Sequence, residues 1–152
     1  IVTATWLRPG ERIVDLRLSR SGARAAMLVD DGQRTTLRVS GVVRGSDGVP
    51  NALTEPILLP SSGSEDSVEW AGDTNLLVSA YAEKPDERVV PRIVSIDGTV
   101  RELNPLGGLR GISAGDDGAY YAETEEFVFL LVGSSWRAQE LDRGVRDLSF
   151  PD

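Results

Sequence analysis

The sequence predicts an all-β protein, a partial β-propeller of about three four-stranded antiparallel blades with a flanking single strand at each end. Apolar runs of strand length alternate with turns rich in Gly and Asp, and helix signals are weak. A unit of apolar strand, turn and apolar strand occurs three times, at residues 16–29, 68–78 and 111–122. The spacing of these units, about 40 to 50 residues, is typical of propeller blades.

The first unit shows the pattern most clearly. Leu16 and Leu18 alternate with Arg17, which predicts a strand with one apolar and one polar face. Residues 25–29 are apolar at every position, so we expect a strand covered on both faces. The Asp-Gly hairpin at residues 30–32 then predicts a type I′ turn, whose twist matches that of its flanking strands.

The blade limits follow from these repeats. We expect blades at residues 12–60, 66–104 and 109–141. A strand over residues 1–6 would belong to a preceding blade, and a strand over residues 145–150 would begin the next. Because the chain opens inside a strand-like run, we interpret it as part of a longer protein, in which the last strand closes the ring.

Composition narrows the functional classes. The 152 residues contain no Cys and no His, and the net charge is −8. An acidic chain lacks the positive field that nucleic-acid binding requires, so we expect no nucleic-acid partner. No apolar run reaches the ~18 residues of a membrane span. We therefore expect a soluble fragment, with membrane attachment only through an anchor upstream of it.

Residues 111–115 match the G-x-S-x-G pattern of serine hydrolases. That pattern requires a helix after the serine and a His base that accepts its proton. Here an Asp-Asp-Gly turn and an aromatic strand follow, and the chain has no His. We interpret Ser113 as the end of an inner strand and predict a protein with no catalytic residues, not an enzyme.

Acidic residues occur in four groups that could bind a cation or exchange protons. The groups are Asp30 with Asp31, Glu65 with Asp66, Asp116 with Asp117, and residues 123–126. They do not have the spacing of a Ca²⁺ loop, and zinc would need His or Cys ligands. Most lie at predicted turns, where Asp is favoured for backbone reasons. We therefore predict no metal-binding and no cofactor-binding residues.

Arginine and tryptophan residues are the remaining candidates for recognition. Arg17, Arg20 and Arg24 lie near the first turn, where they could meet an acidic partner or a phosphate. We expect them to pair locally with Asp and Glu instead. The chain has three tryptophans, which fall on predicted strands of successive units: Trp6, Trp70 and Trp136. We expect these rings to pack between blades, since strands need bulk on a half-buried surface.

Several stretches resemble one family. Residues 6–11 (WLRPGE), the S-x-S-G-A-R turn within residues 16–26, and residues 39–44 before a Gly-Val-Pro turn are similar to the propeller domain of the LpqB lipoproteins of actinobacteria. The ending, residues 144–151, resembles the C-terminus of that family. The match is best over the first third and the last few residues.

This resemblance implies a setting and a partner. Such proteins are secreted, anchored at the cell membrane by a lipidated Cys, and carry a GerMN-type domain before the propeller. They act with the MtrA–MtrB two-component system by contacting the extracellular sensor domain of the histidine kinase. The family offers no catalytic residues to carry over.

The sequence therefore predicts a non-catalytic extracytoplasmic interaction module that modulates a sensor kinase. The loops at residues 44–51 and 82–87 are its candidate contact surfaces. Two alternatives stay open: a propeller accessory to a hydrolase, and a ligand-binding or glycan-binding propeller. The last one requires an exposed aromatic cluster formed by residues such as Tyr120, Tyr121 or Trp136.

Overall fold

The structure is a computed structural model that describes residues 1–115 and 118–139. Within these ranges the chain forms antiparallel strands and no helix, which confirms the all-β prediction. The strand expected over residues 145–150 lies outside the described residues, as do Asp116 and Asp117.

The first sheet has five strands: β1 (Arg12–Leu18), β2 (Arg24–Asp30), β3 (Thr35–Arg44), β4 (Pro50–Leu53) and β5 (Ile57–Leu59). Their order is β1-β2-β3, and two short strands share the outer edge of the long β3. β4 pairs with residues 42–44, and β5 pairs with residues 37–39. The sequence did not predict β4, because Gly48 and Pro50 marked residues 44–51 as a loop.

The second sheet follows the order β6-β7-β9-β10. Its strands are β6 (Ser67–Ala71), β7 (Asn75–Ser79), β9 (Arg92–Ser95) and β10 (Val100–Glu102), and the short strand β8 (Arg88–Val89), which precedes β9 in the chain, lies outside it. The sequence predicted one strand over residues 89–96. It is divided at Pro91, because proline has no N–H to donate to a ladder. β8 pairs instead with β11 (Leu106–Gly107) in a separate two-stranded sheet.

The third sheet is a meander in chain order. It consists of β12 (Gly111–Ala114), β13 (Tyr120–Glu123), β14 (Val128–Val132) and β15 (Ser135–Ala138). The first strands of the three sheets, β1, β6 and β12, lie side by side. Three antiparallel sheets that pack on one another with adjacent inner strands form part of a β-propeller, as the repeats predicted.

Each central strand supplies side chains to two cores. On β2, Ala26 and Leu28 pack toward the second sheet, while Met27 and Val29 pack on the opposite face. We call the interface between the first and second sheets the first junction. Its buried residues are Ala26, Leu28, Leu37, Val39, Leu59, Val68, Trp70, Leu76, Val78 and Val94. The expectation that residues 25–29 are covered on both faces is confirmed.

The interface between the second and third sheets is the second junction. Leu77 of β7 points into it, whereas its neighbours Leu76 and Val78 point into the first junction. The second junction also buries residues of the connection that carries β11. Its buried residues are Leu77, Ile93, Leu103, Leu106, Leu109, Ile112 and Ala122.

Residues 1–6 differ from the strand that the sequence predicts there. Only Thr3 pairs with another strand, through a single parallel bridge to Ala52. Trp6 and Leu7 lie against the face of the first sheet that carries Met27 and Val29. These bulky side chains cover apolar surface that would otherwise face water, and this favours a turn over a free strand.

The hairpin after β2 also differs from its prediction. A type I′ turn needs positive φ at both central residues. Here Gly32 has a φ of 96°, but no non-glycine residue among those described has a positive φ. The Asp30 and Asp31 carboxylates instead accept hydrogen bonds from the N–H groups of Gly32 and Gln33, both at 2.8 Å. The side chains thereby stabilise a longer turn in which only glycine is left-handed.

Candidate interaction surfaces

The chain reversals lie on two opposite faces of the stack. One face, here called the turn face, carries the reversals from β1 to β2 (residues 19–23), from β3 to β4 (residues 45–49) and from β6 to β7 (residues 72–74). The Ser21 N–H donates to Asp73 Oδ1 at 3.1 Å, which places the first and third of these turns side by side.

The opposite face, here called the loop face, carries residues 31–34, 80–87 and 124–127. In an antiparallel sheet, successive reversals alternate between the two ends. The two candidate loops that the sequence singles out, residues 44–51 and 82–87, therefore lie on opposite faces. One compact partner cannot contact both of them at once.

The first candidate loop is a hairpin tip fixed to the neighbouring turn. The Arg44 guanidinium donates to the carbonyl oxygens of Gly48 at 2.9 Å and Gly22 at 3.0 Å. Within the tip, the Gly45 N–H donates to the Val49 carbonyl at 3.0 Å. Val49 projects from it with 56% of its surface exposed. The loop is shorter than the predicted residues 44–51, since Arg44 is the last residue of β3 and Pro50 is the first residue of β4.

The second candidate loop, residues 82–87, is fixed to the connection between the second and third sheets. The Ala82 N–H donates to the Leu109 carbonyl at 2.8 Å, and the Gly108 N–H donates to the Glu87 carbonyl at 2.9 Å. The β8–β11 pair continues this attachment beyond residue 87. Although charged and exposed, the loop has a backbone fixed at both ends.

Gly108 allows the closest approach in this attachment. Its φ is 71°, in the left-handed region that favours glycine. A Cβ built at this position would lie 2.7 Å from the carbonyl oxygen of Pro85. A side chain at residue 108 would therefore force the backbone of the loop away from the third sheet.

The arginine cluster near the first turn pairs locally, as expected for Arg17. Its Nε lies 3.2 Å from Glu69 Oε1 on the second sheet, and its Nη1 lies 3.2 Å from Asp15 Oδ1. The other Asp15 oxygen, Oδ2, accepts a hydrogen bond from the Val68 N–H at 3.1 Å. These charged groups connect β1 to β6.

Arg24 connects the same two sheets through the backbone. Its Nη1 donates to the Asp73 carbonyl oxygen at 2.8 Å. Hydrogen bonds from the Ser21 hydroxyl and N–H lower the pKa of the Asp73 carboxyl, and the charge of Arg24 contributes less. The first junction therefore has a polar network on the turn face in addition to its apolar core.

Two of the three tryptophans pack between sheets, as predicted. Trp70 is 8% exposed, and its Nε1 donates to the Arg17 carbonyl across the first junction at 2.8 Å. Trp136 packs against the second junction and donates to the Asn104 carbonyl at 3.0 Å. Trp6 lies in a turn and donates to the Leu53 carbonyl at 3.2 Å, so the prediction that it lies on a strand is wrong.

Two of the acidic groups, Asp30 with Asp31 and Glu65 with Asp66, accept hydrogen bonds from backbone N–H groups of turns and loops. Both oxygens of the buried Glu65 accept hydrogen bonds, one from the Ser62 N–H and one from the Gly63 N–H. Asp66 accepts from the Tyr81 N–H at 2.7 Å. Hydrogen bonds from the Arg34 N–H and, to a smaller extent, from the Gln33 N–H lower the pKa of the Asp31 carboxyl. Among residues 1–115 and 118–139, no group of three potential ligands could hold a metal ion.

Ser113, the centre of the G-x-S-x-G match, is 6% exposed and pairs with Tyr121 in the third sheet. The glycine that follows it, Gly115, begins a turn in which its N–H donates to the Ala119 carbonyl at 2.8 Å. A strand, β13, follows this turn. The serine thus lies in a β-ladder, one residue before the end of the inner strand β12, whereas the sequence interpretation made it the last residue of that strand.

The aromatic residues that a glycan site would expose do not form a shared surface. Tyr120 and Trp136 both pack against the core of the second junction. Burial raises the pKa of the Tyr120 hydroxyl. Tyr121 follows Tyr120 on β13 and therefore faces the opposite side of the sheet. This arrangement does not favour a glycan-binding propeller.

One groove lies beside the inner strands on the turn face. It has a volume of about 560 Å³ and is lined by all three inner strands, among them Leu18 of β1, Trp70 of β6 and Ala114 of β12. Leu16 and Leu18 are exposed here. In the propeller architecture, the inner strands of successive blades surround a central channel.

Fold and surfaces together define a β-propeller domain whose reversals form two separate faces. No helix in the part of the chain that the structure describes is both long and apolar enough to cross a membrane. A family model with the description "Lipoprotein LpqB beta-propeller domain" matches residues 1–151. The chain belongs to this family. Its members are lipoproteins, which implies an extracytoplasmic, lipid-anchored protein, and the description names no catalytic activity.

Comparison with solved structures agrees with the fold. A prolyl endopeptidase matches with a TM-score of 0.51 at 20% identity, over 84% of this chain and 20% of that one. Two mutants of prolyl oligopeptidase B from Galerina marginata, bound to a 35mer substrate, match with TM-scores of 0.55 and 0.54. Their identities are 17% and 16%, over 91% of this chain and 24% of theirs.

At these identities the likeness extends to the fold alone. The chain spans about a quarter or less of each peptidase, so their activity is not transferred to it. Comparison with curated proteins finds no match.

Proposed function

We propose that this domain is the protein-interaction module of an actinobacterial lipoprotein that modulates a two-component sensor kinase of the MtrA–MtrB type. In this proposal the domain binds the extracellular sensor domain of the histidine kinase. The observation that carries it is membership of the LpqB propeller family over residues 1–151. The resemblance of residues 6–11 and 16–26 to that family supports the same partner.

The architecture supports recognition by a rigid surface. Both candidate loops have their backbones fixed by hydrogen bonds, so little conformational entropy is lost when a partner binds. Loops on a rigid scaffold are the usual location of binding residues. Because these loops lie on opposite faces, a single sensor domain would use one of them.

A pull-down tests the proposal directly. The full-length ectodomain of the lipoprotein is immobilised, and the purified extracellular sensor domain of the kinase is added at micromolar concentration. We expect retention of the sensor domain, and no retention of an unrelated kinase's sensor domain, which serves as the control. Absence of binding at micromolar concentration would remove this function.

A further inference from the structure

A groove opens on the loop face between the second and third sheets. Its volume is about 410 Å³. Residues 83–85 line one side and the turn at residues 124–127 lines the other. Gly107, Gly108 and Phe129 are among the remaining lining residues. This volume is sufficient for a few side chains of a bound peptide.

Both sides of the groove have a fixed backbone. The loop at residues 82–87 is held by Leu109 and Gly108, as described above. On the other side, the Thr124 N–H and the Phe127 carbonyl form a hydrogen bond of 2.9 Å, and the Phe127 N–H donates to Thr124 Oγ1 at 3.1 Å. The groove is therefore formed before any partner arrives.

An aromatic ring stands exposed in this groove. Phe127 has 49% of its surface exposed, although it contacts the Phe129 ring edge-to-face with centroids 5.9 Å apart. β14 begins at Val128, so Phe127 belongs to the preceding turn and not to the strand. A large apolar side chain beside a concave surface is the usual anchor of a protein interface.

The charged residues of the groove have an acidic excess. Glu83, Glu125 and Glu126 outnumber Lys84 and Arg110. None of these five side chains forms an ion pair with another described residue. Among the described residues these charges have no ion-pair partner, and their sum favours a positively charged ligand.

We propose that this groove binds a short segment of a partner protein in which a basic side chain stands next to an apolar one. The apolar side chain packs on Phe127, and the basic one pairs with Glu125 or Glu126. This inference deepens the proposed function, on which it rests for the identity of the partner. A second copy of this chain is disfavoured as the occupant, because two copies that each carry a net charge of −8 repel one another.

The first experiment measures the Kd of the full-length ectodomain for the kinase sensor domain. The variant combines Phe127→Ala, Glu125→Gln and Glu126→Gln, and we expect its Kd to rise by about tenfold or more. The matched control combines Val132→Ala with Glu55→Gln, two exposed residues that lie neither in the groove nor in the two candidate loops, and its Kd stays unchanged. Equal thermal stability of the variants shows that they are folded.

The second experiment does not depend on the kinase. Phage-displayed random dodecapeptides are selected on the ectodomain, with the triple variant used for counter-selection. We expect enriched peptides with Arg or Lys beside Leu, Ile, Phe or Trp, and binding that weakens as salt rises.

The two experiments separate the two proposals. Peptides that depend on the groove, together with a sensor domain that does not bind, would support the groove and remove the kinase. A sensor domain that binds wild type and triple variant equally would keep the function and overturn this inference. Enrichment of acidic peptides, of peptides that bind the triple variant, or of none would also overturn it.

Discussion

The two junctions between sheets are built differently. The first junction combines a continuous apolar core with charged side chains that cross it, chiefly Arg17 to Glu69 and Arg24 to Asp73. The second junction has its own apolar core, but backbone hydrogen bonds of the connecting segment reinforce it. Propeller sheets can therefore be joined by side chains or by main-chain hydrogen bonds. We expect the stability of the two kinds of junction to respond differently to substitutions, pH and salt.

The largest expected effect comes from the tryptophans of the two junctions. Trp70→Ala removes a buried ring and a hydrogen bond across the first junction, and we expect a loss of about 3–5 kcal/mol in the free energy of unfolding. Trp136→Ala removes a half-buried ring with a similar hydrogen bond, so its loss should be smaller. Urea denaturation of both variants measures the difference, and equal losses would contradict the comparison.

Gly108 tests the main-chain attachment of the second junction. Gly108→Ala places a Cβ against the Pro85 carbonyl at a left-handed residue. Gly98 is also left-handed, but a Cβ there would meet open space, so Gly98→Ala should cost only the backbone strain of about 1–2 kcal/mol. We expect a larger loss for Gly108→Ala and faster amide exchange at residues 84–87, measured by hydrogen–deuterium exchange. Equal losses would show that the loop moves aside freely.

Acid should weaken the first junction through Asp73. Hydrogen bonds from Ser21 lower its pKa in the folded state. The stability that this bond contributes is present above the unfolded pKa of about 3.9 and is lost as the pH falls through the lowered folded value. In Ser21→Ala we expect the pKa of Asp73, followed by NMR titration of its carboxyl carbon, to rise toward its ordinary value.

Asp97 is the reference for this titration. Its pKa is lowered by the N–H and hydroxyl of Thr99 within one hairpin, away from Ser21. We expect it to titrate identically in wild type and in Ser21→Ala. A shift of both carboxyls would mean that the substitution disturbs the whole domain and not only the first junction.

Arg17 should give the smallest effect. Arg17→Met removes the ion pairs with Glu69 and Asp15, and we expect a loss of about 1 kcal/mol or less, because the side chain is half exposed and screened by solvent. The loss should diminish at high salt. Arg92→Met, which removes a pair with Glu102 inside one sheet, is the control. Urea midpoints measured at low and high salt give this loss for each variant. A loss for Arg17→Met that does not change with salt would contradict the expectation.

Sequence patterns predicted the sheets well where burial dictates them. Residues 25–29 are apolar at every position because their strand contributes to two cores, and this signal, together with the repeat spacing, indicated stacked sheets. Trp70 was correctly predicted to pack between sheets, because a strand needs a bulky side chain on its half-buried surface. Where a pattern arises from packing on both faces, the sequence carries nearly all of the information.

Other features depend on contacts between distant residues. The strand predicted over residues 1–6 is replaced by a turn because Trp6 covers a face formed by residues far along the chain. Phe127 is apolar, as a residue of a buried strand would be, and the turn held by Thr124 that exposes it has no strong sequence signal. The opposite placement of the two candidate loops depends on the number of strands between them, which the unpredicted β4 made uncertain.

The alternation along β2 and β7 has a consequence for how this domain tolerates changes in length. Inserting or deleting one residue in either strand would exchange the side chains of two cores at the same time, since neighbouring positions point to opposite sides. Insertions and deletions are therefore tolerated between the strands and not within them. Sequence differences that distinguish one partner from another can accumulate in these connections.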